Sequence, residues 1–288
     1  SLFMININAV DYPPQPAPET VLSTSEAAWI DLQLDSSTGL LWTVGNLGTT
    51  VVKVGWHRAS DPSNLALTTR TLGSTNCYTL FFGTSTVYFG CFGSILASPR
   101  TNIAMDGGTF SPSLVTTYAV GAGQYQAGVI DNAAKRLYLG STIGLGIEFD
   151  TSANTLLRIF FLQGATGLAP LRSAYLDKTG IAPGKSPVIF WGTSDGRVVR
   201  VNTRDYANVF SQAYVGFNTD FHALAYNSSS GTLILGNGIV PGSVSHITYS
   251  ATLTDCSIYT CSQCLTIDQE YCGVCLDTGG CTQQSQCS

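Results

Sequence analysis

The stretch Trp29-Ile-Asp-Leu-Gln-Leu-Asp-Ser-Ser-Thr-Gly-Leu-Leu-Trp-Thr-Val-Gly45 sets the pattern for most of the chain. It reads as a strand over 29–34, a polar turn closed by Gly39, and a short apolar strand over 40–44 that ends at Gly45. Asp, Ser and Gly between two runs rich in aromatic and β-branched residues are hairpin chemistry. The same unit recurs as 78–82 with 86–89, 127–130 with 136–139, 172–176 with 188–191, and 223–226 with 232–235. Each second strand is followed by a glycine, namely Gly45, Gly90, Gly140, Gly192 and Gly236. From Trp42 through Tyr88, Tyr138, Phe190 and Ile234 the steps are 46, 50, 52 and 44 residues.

A period of this size is the mark of a repeat architecture. Third strands are expected at 50–54, 146–150, 198–202 and 244–249, with that of the second unit less clear. Outer strands are expected at 66–72, 114–120, 156–162 and 207–215. Four short antiparallel strands repeated radially describe a β-propeller. The fold class is therefore all-β, with a propeller of about five blades over 1–254 and a small disulfide-rich knot over 255–288. A repeat of about 50 residues exceeds the usual 40 to 45 and leaves room for a sixth blade. The glycine after each second strand relieves crowding where blades pack or the chain bends.

The last unit runs from its third strand almost directly into Cys256, so it lacks an outer strand. An apolar strand over 2–10, set apart by the proline-rich connector Pro13-Pro-Gln-Pro-Ala-Pro-Glu-Thr20, is available to complete it. Closing a ring with strands from both ends would cover an open edge. A neighbouring copy could accept the same strand, which makes Leu2, Phe3, Ile5 and Ile7 interface candidates.

The tail holds seven of the nine cysteines, spaced C-x4-C-x2-C-x7-C-x2-C-x5-C-x5-C from Cys256. So short a segment cannot bury a sufficient core and needs covalent staples or a metal. Zinc fits poorly. The gap between Cys261/Cys264 and Cys272/Cys275 is seven residues, short of the roughly 15 to 20 of a zinc ribbon. Three further cysteines would have no ligand role, and the tail has no histidine. Disulfides are expected instead, and with them an extracellular or lumenal location. Cys77 and Cys91 flank one hairpin, and antiparallel register would let them bond across its strands.

The run Cys261-Ser-Gln-Cys264-Leu265, then Tyr271-Cys272-Gly273-Val274-Cys275, resembles the plexin–semaphorin–integrin (PSI) cysteine-rich module. The resemblance is confined to the tail. It implies pairing of Cys256 with Cys272, Cys264 with Cys281, and Cys275 with Cys287. Val274 stands where that family usually has Trp, and the eighth cysteine that would partner Cys261 is absent. Cys261 is thus expected to stay unpaired or to bond outside the chain. Plexins and semaphorins also place a propeller directly before this module, although a larger one.

Charged residues make up only 11% of the 288, and the formal net charge is −5. That balance gives no electrostatic case for nucleic acid or an anionic membrane. No apolar run approaches 18 residues, so no membrane-spanning segment is expected. One N-glycosylation sequon, Asn227-Ser228-Ser229, lies in a turn that a glycan could reach.

The search for chemistry returns little. Gly180-Ile-Ala-Pro-Gly184-Lys185-Ser186 is like a phosphate-binding loop, but a strand rather than the required helix follows it. His57, His222 and His246 are scattered without metal-ligand spacing. Glu148 and Asp150 alternate on one strand face, and Asp31 lies near a strand end, without the signature of an acid/base pair. No serine sits in a nucleophile elbow, and no loop offers calcium ligands. No catalytic residue, metal or cofactor is expected. The expected function is an extracellular structural or interaction module, engaged in adhesion or self-assembly into a surface filament or matrix. A ligand-binding receptor ectodomain and a secreted propeller glycan hydrolase or lyase are the alternatives.

Overall fold

The computed structural model describes residues 2–3, 20–22, 28–46, 50–58, 61–73, 75–104, 110–164, 167–168, 170–178, 187–203, 208–213, 221–227, 232–237, 244–248, 272–274 and 281–283. Most of these are in strands, so the chain is all-β. Two compact units divide it, Ser1–Ala122 and Gly123–Ser288.

In the first unit, β1 (Leu2–Phe3) pairs with β2 (Thr20–Leu22). The first large sheet is a four-stranded antiparallel meander of β3 (Ala28–Asp35), β4 (Leu40–Asn46), β5 (Thr50–Arg58) and β6 (Asp61–Gly73). The second sheet starts with β7 (Cys77–Phe82) and β8 (Thr86–Pro99). A short helix, α1 (Arg100–Ala104), follows. Leu40, Trp42, Val44 and Val52 pack on Leu80, Phe89 and Leu96 from the second sheet. Each such side chain removed from water contributes about 1.5–3 kcal/mol.

The long strand β9 (Thr116–Asp131) carries the chain into the second unit. There it pairs with β10 (Arg136–Ser141), followed in meander order by β11 (Leu145–Asp150) and β12 (Thr155–Phe161). A two-stranded ribbon, β13 (Gln163–Gly164) with β14 (Gly167–Leu168), leads to the next meander. That sheet is β15 (Leu171–Asp177), β16 (Val188–Thr193), β17 (Arg197–Asn202) and β18 (Asn208–Ala213). The fifth sheet has three described strands, β19 (Phe221–Asn227), β20 (Thr232–Asn237) and β21 (Val244–Thr248). A small ribbon in the tail joins β22 (Cys272–Val274) to β23 (Cys281–Gln283). Successive sheets of this unit share apolar layers: Ala127, Tyr138 and Phe160 pack with Ile189, Trp191 and Val199, while Phe190 and Val198 pack with Leu233 and Leu235.

All five expected hairpins form strand pairs in this order, and the expected third and outer strands appear as β5, β11, β17 and β21, and as β6, β9, β12 and β18. The second unit of the repeat differs. Its second strand runs on to Pro99 and is followed by helix α1, with no separate third strand among the described residues. Of the strand expected over 2–10, the described part, Leu2–Phe3, pairs with Thr20–Leu22; Ile5 and Ile7 lie outside the described residues.

Candidate functional site

Register shows what the repeat positions. In every sheet the first strand carries a β-bulge against the second: Ile30, Tyr78, Gln126, Arg172 and His222 are the extra residues. The residue after the bulge stands opposite Gly90, Gly140, Gly192 and Gly236 in four sheets, as Thr79, Ala127, Ser173 and Ala223. In the first sheet Asp31 stands opposite Val44, so Gly45 sits one place further along than the other four glycines. The glycine serves close packing as well as the bend. A Cβ at Gly140 would lie 2.6 Å from Trp191 Cζ3 and 2.7 Å from Leu171 Cδ1 on the adjacent sheet.

Five residues beyond each bulge come Asp35, Gly83, Asp131, Asp177 and Asn227. Asp35 and Asp131 cap their own turns, accepting backbone N–H bonds from Ser37 at 3.1 Å and from Ala133 at 3.1 Å. Both then take a cation from the following sheet of the same unit. Arg100 Nη1 bonds both carboxylate oxygens of Asp35 at 2.9 Å, Nη2 donates to the Gly83 carbonyl, and the guanidinium lies 5.0 Å from the centroid of the Phe82 ring. Lys178 Nζ lies 3.0 Å from Asp131 Oδ1. Burial works to raise both carboxyl groups, but the donors outweigh it. The Ser37 hydroxyl and N–H, with Arg100, hold Asp35 below the ordinary carboxylate range. Lys178 and the Ala134 and Ala133 amides do the same for Asp131.

The start of the first strands is braced too. Asp31 Oδ2 accepts from Thr79 Oγ1 at 2.8 Å and from the Leu80 amide at 3.0 Å. Arg172 Nη1 donates to Gln126 Oε1. Each first strand is therefore tied to its neighbour at both ends.

The acidic residues singled out above are absorbed by such ties. Arg136 reaches Glu148 at 3.2 Å and Asp150 at 2.7 Å, so the two carboxylates do share a face. The Ser152 hydroxyl, the Ala153 and Ser152 amides and then Arg136 lower Asp150 to about 2. It stays ionised near neutral pH and is unsuited to giving up a proton there. Of the histidines, His57 lies in β5 and His246 in β21, while His222 lies inside β19 at the bulge rather than ahead of the strand. Among the described residues no three His, Cys, Asp or Glu come together as a metal site, and no helix is long and apolar enough to cross a membrane.

Cys77 stands opposite Cys91 across β7 and β8, their sulfur atoms at bonding distance. Both are fully buried beside the bulge at Tyr78. Asn227 ends β19, opposite Thr232, with the rest of the sequon outside the described residues. In the tail the described register sets Cys272 opposite Gln283 and Val274 opposite Cys281. The pairings implied for Cys256, Cys264, Cys275 and Cys287, and the place of Cys261, lie outside the described residues.

Two apolar stripes remain open. On β12, Leu156, Leu157, Ile159 and Phe161 are 37–58% exposed at the edge of their sheet. On β3, Ile30, Leu32 and Leu34 are 38–60% exposed, alternating with Asp31 and Asp35, which bond the second sheet. Neither stripe was singled out by sequence. What a scan could have found is the Asp, Asp, Asp, Asn series five residues past each bulge, since it recurs at fixed offset from the apolar second strand. No family model matches this sequence, and a search of curated proteins returns no match either.

Proposed function

We propose that this chain is an extracellular, non-enzymatic structural module that associates with copies of itself. In this reading the five sheets are blades of one closed propeller, and the tail is a PSI-like cysteine knot whose Cys261 bonds outside the chain. The unoccupied face of β3 supports closure. Leu32 and Leu34 point away from the second sheet, which is where the β19–β21 sheet would complete a ring and bury them.

The observation that carries self-association is the apolar edge strand β12. An edge with exposed Leu, Ile and Phe side chains is a template for another chain. Its sole charge, Arg158, lies 3.9 Å from Glu148 on its own sheet, so the strand selects an equally uncharged partner. A second copy satisfies that. Antiparallel pairing centred on Ile159 sets Arg158 against Phe160 and avoids opposing like charges, which pairing centred on Arg158 would create. The bulge at Leu157 shortens the stretch able to pair. One such strand falls short of the roughly 1,000 Å² of a stable interface. Association through it is weak singly and cumulative in an array.

Sedimentation velocity over a range of concentrations tests this. The chain is expected to associate as concentration rises, and Ile159→Lys with Phe161→Lys to remain monomeric. Unchanged association in the double variant would overturn the assignment of β12.

A further inference from the structure

The bulged residues follow one another at steps of 48, 48, 46 and 50, from Ile30 through Tyr78, Gln126 and Arg172 to His222, a steadier spacing than that of the glycines. A bulge re-aims a side chain and is enriched beside binding sites. Here the position recurs while the residue type changes, as expected where the scaffold is fixed and the presented group is free to vary.

In the second unit two of these positions are joined. Arg172 Nη1 donates to Gln126 Oε1, and Gln126 Nε2 donates to Gln124 Oε1 at 3.0 Å. All three side chains are partly open to solvent. Arg100 and Arg136 are each bonded to a carboxylate, but the Gln126 amide that orients Arg172 is neutral and cancels none of its charge. A planar guanidinium held by one N–H is set to receive a carboxylate with two others, and flanking amides both donate to and accept from hydroxyl groups.

We propose that Arg172, with Gln126 and Gln124, forms a binding site for a carboxylate-bearing sugar such as a uronic acid. The guanidinium takes the carboxylate and the glutamine amides take adjacent hydroxyls. The site does not depend on self-association through β12.

Titration calorimetry of the full chain with D-glucuronate, D-glucose and acetate tests the assignment. Glucuronate is expected to bind saturably, and more tightly than either glucose or acetate. Arg172→Met should weaken it at least about tenfold, and Arg172→Lys should restore part of the loss. Gln126→Ala, which keeps the cation but frees it, should also weaken binding, and it serves if the Arg172 variants do not fold. No saturable binding of glucuronate, equal binding of glucose or of acetate, or glucuronate affinity unchanged in folded Arg172 or Gln126 variants would overturn the proposal.

Discussion

The junction between the first and second sheets and the junction between the third and fourth are tied at the same two levels by different chemistry. At the start of the first strand, one uses the Asp31 carboxylate on Thr79 and the Leu80 amide, the other the Arg172–Gln126 bond. At the end of that strand both use a buried aspartate, but Asp35 meets a largely enclosed bidentate arginine from helix α1, and Asp131 meets an exposed lysine. The repeat thus fixes where a tie is needed and not which residues make it. It also suggests that the two ties differ in worth, because desolvation decides what an ion pair contributes.

That difference can be broken open by mutation. Arg100→Ala strands a buried, hydrogen-bonded carboxylate and should cost about 3 kcal/mol in denaturant unfolding. Lys178→Ala removes a solvent-screened partner and should cost about 1 kcal/mol or less. Equal losses would mean that burial does not distinguish the two junctions. Between these extremes lies Gly140→Ala. Its Cβ would press on the Trp191 ring and on Leu171, and overpacking of this kind costs about 1–3 kcal/mol. The first sheet has Val44 at the matching place, so its packing already accommodates a side chain there.

The smallest effect is the acid response. Asp35 and Asp131 have folded-state values below the ordinary aspartate range of about 3.9. Their ionised forms therefore stabilise the fold above that pH, and the contribution is lost as pH falls through the lowered values. Unfolding free energy should fall as the pH drops below about 4, with the slope reduced in Asp35→Asn. Tyr125 acts in the opposite direction. Burial raises its hydroxyl to about 12, so the stability it contributes is complete below about pH 10 and fades above it.

The strands were legible because alternating apolar runs between Asp/Ser/Gly turns specify hairpins locally, and the period of the second strands gave the order of the sheets. The bulges were not legible, since register is set by pairing and Ile, Tyr, Gln, Arg and His share no propensity. Arg100 could not be matched to Asp35 across 65 residues, least of all from a helix of five residues that interrupts the repeat. The Cys77–Cys91 pairing was readable because hairpin register makes the two cysteines neighbours. The exposed stripes on β3 and β12 were invisible for another reason: a strand's apolar face is plain in sequence, but whether another sheet covers it is not.

The measurement closest to the central claim is hydroxyl-radical footprinting of the monomer and of the associated protein, read at Leu32, Leu34, Ile159 and Phe161. A closed ring that assembles through β12 predicts slow labelling of Leu32 and Leu34 in both states. Ile159 and Phe161 should label quickly in the monomer and slowly on association. If Leu32 and Leu34 label as fast as Phe161 in the monomer, the sheets do not close into a ring. If Ile159 and Phe161 stay reactive in the assembled protein, β12 is not the surface through which copies meet.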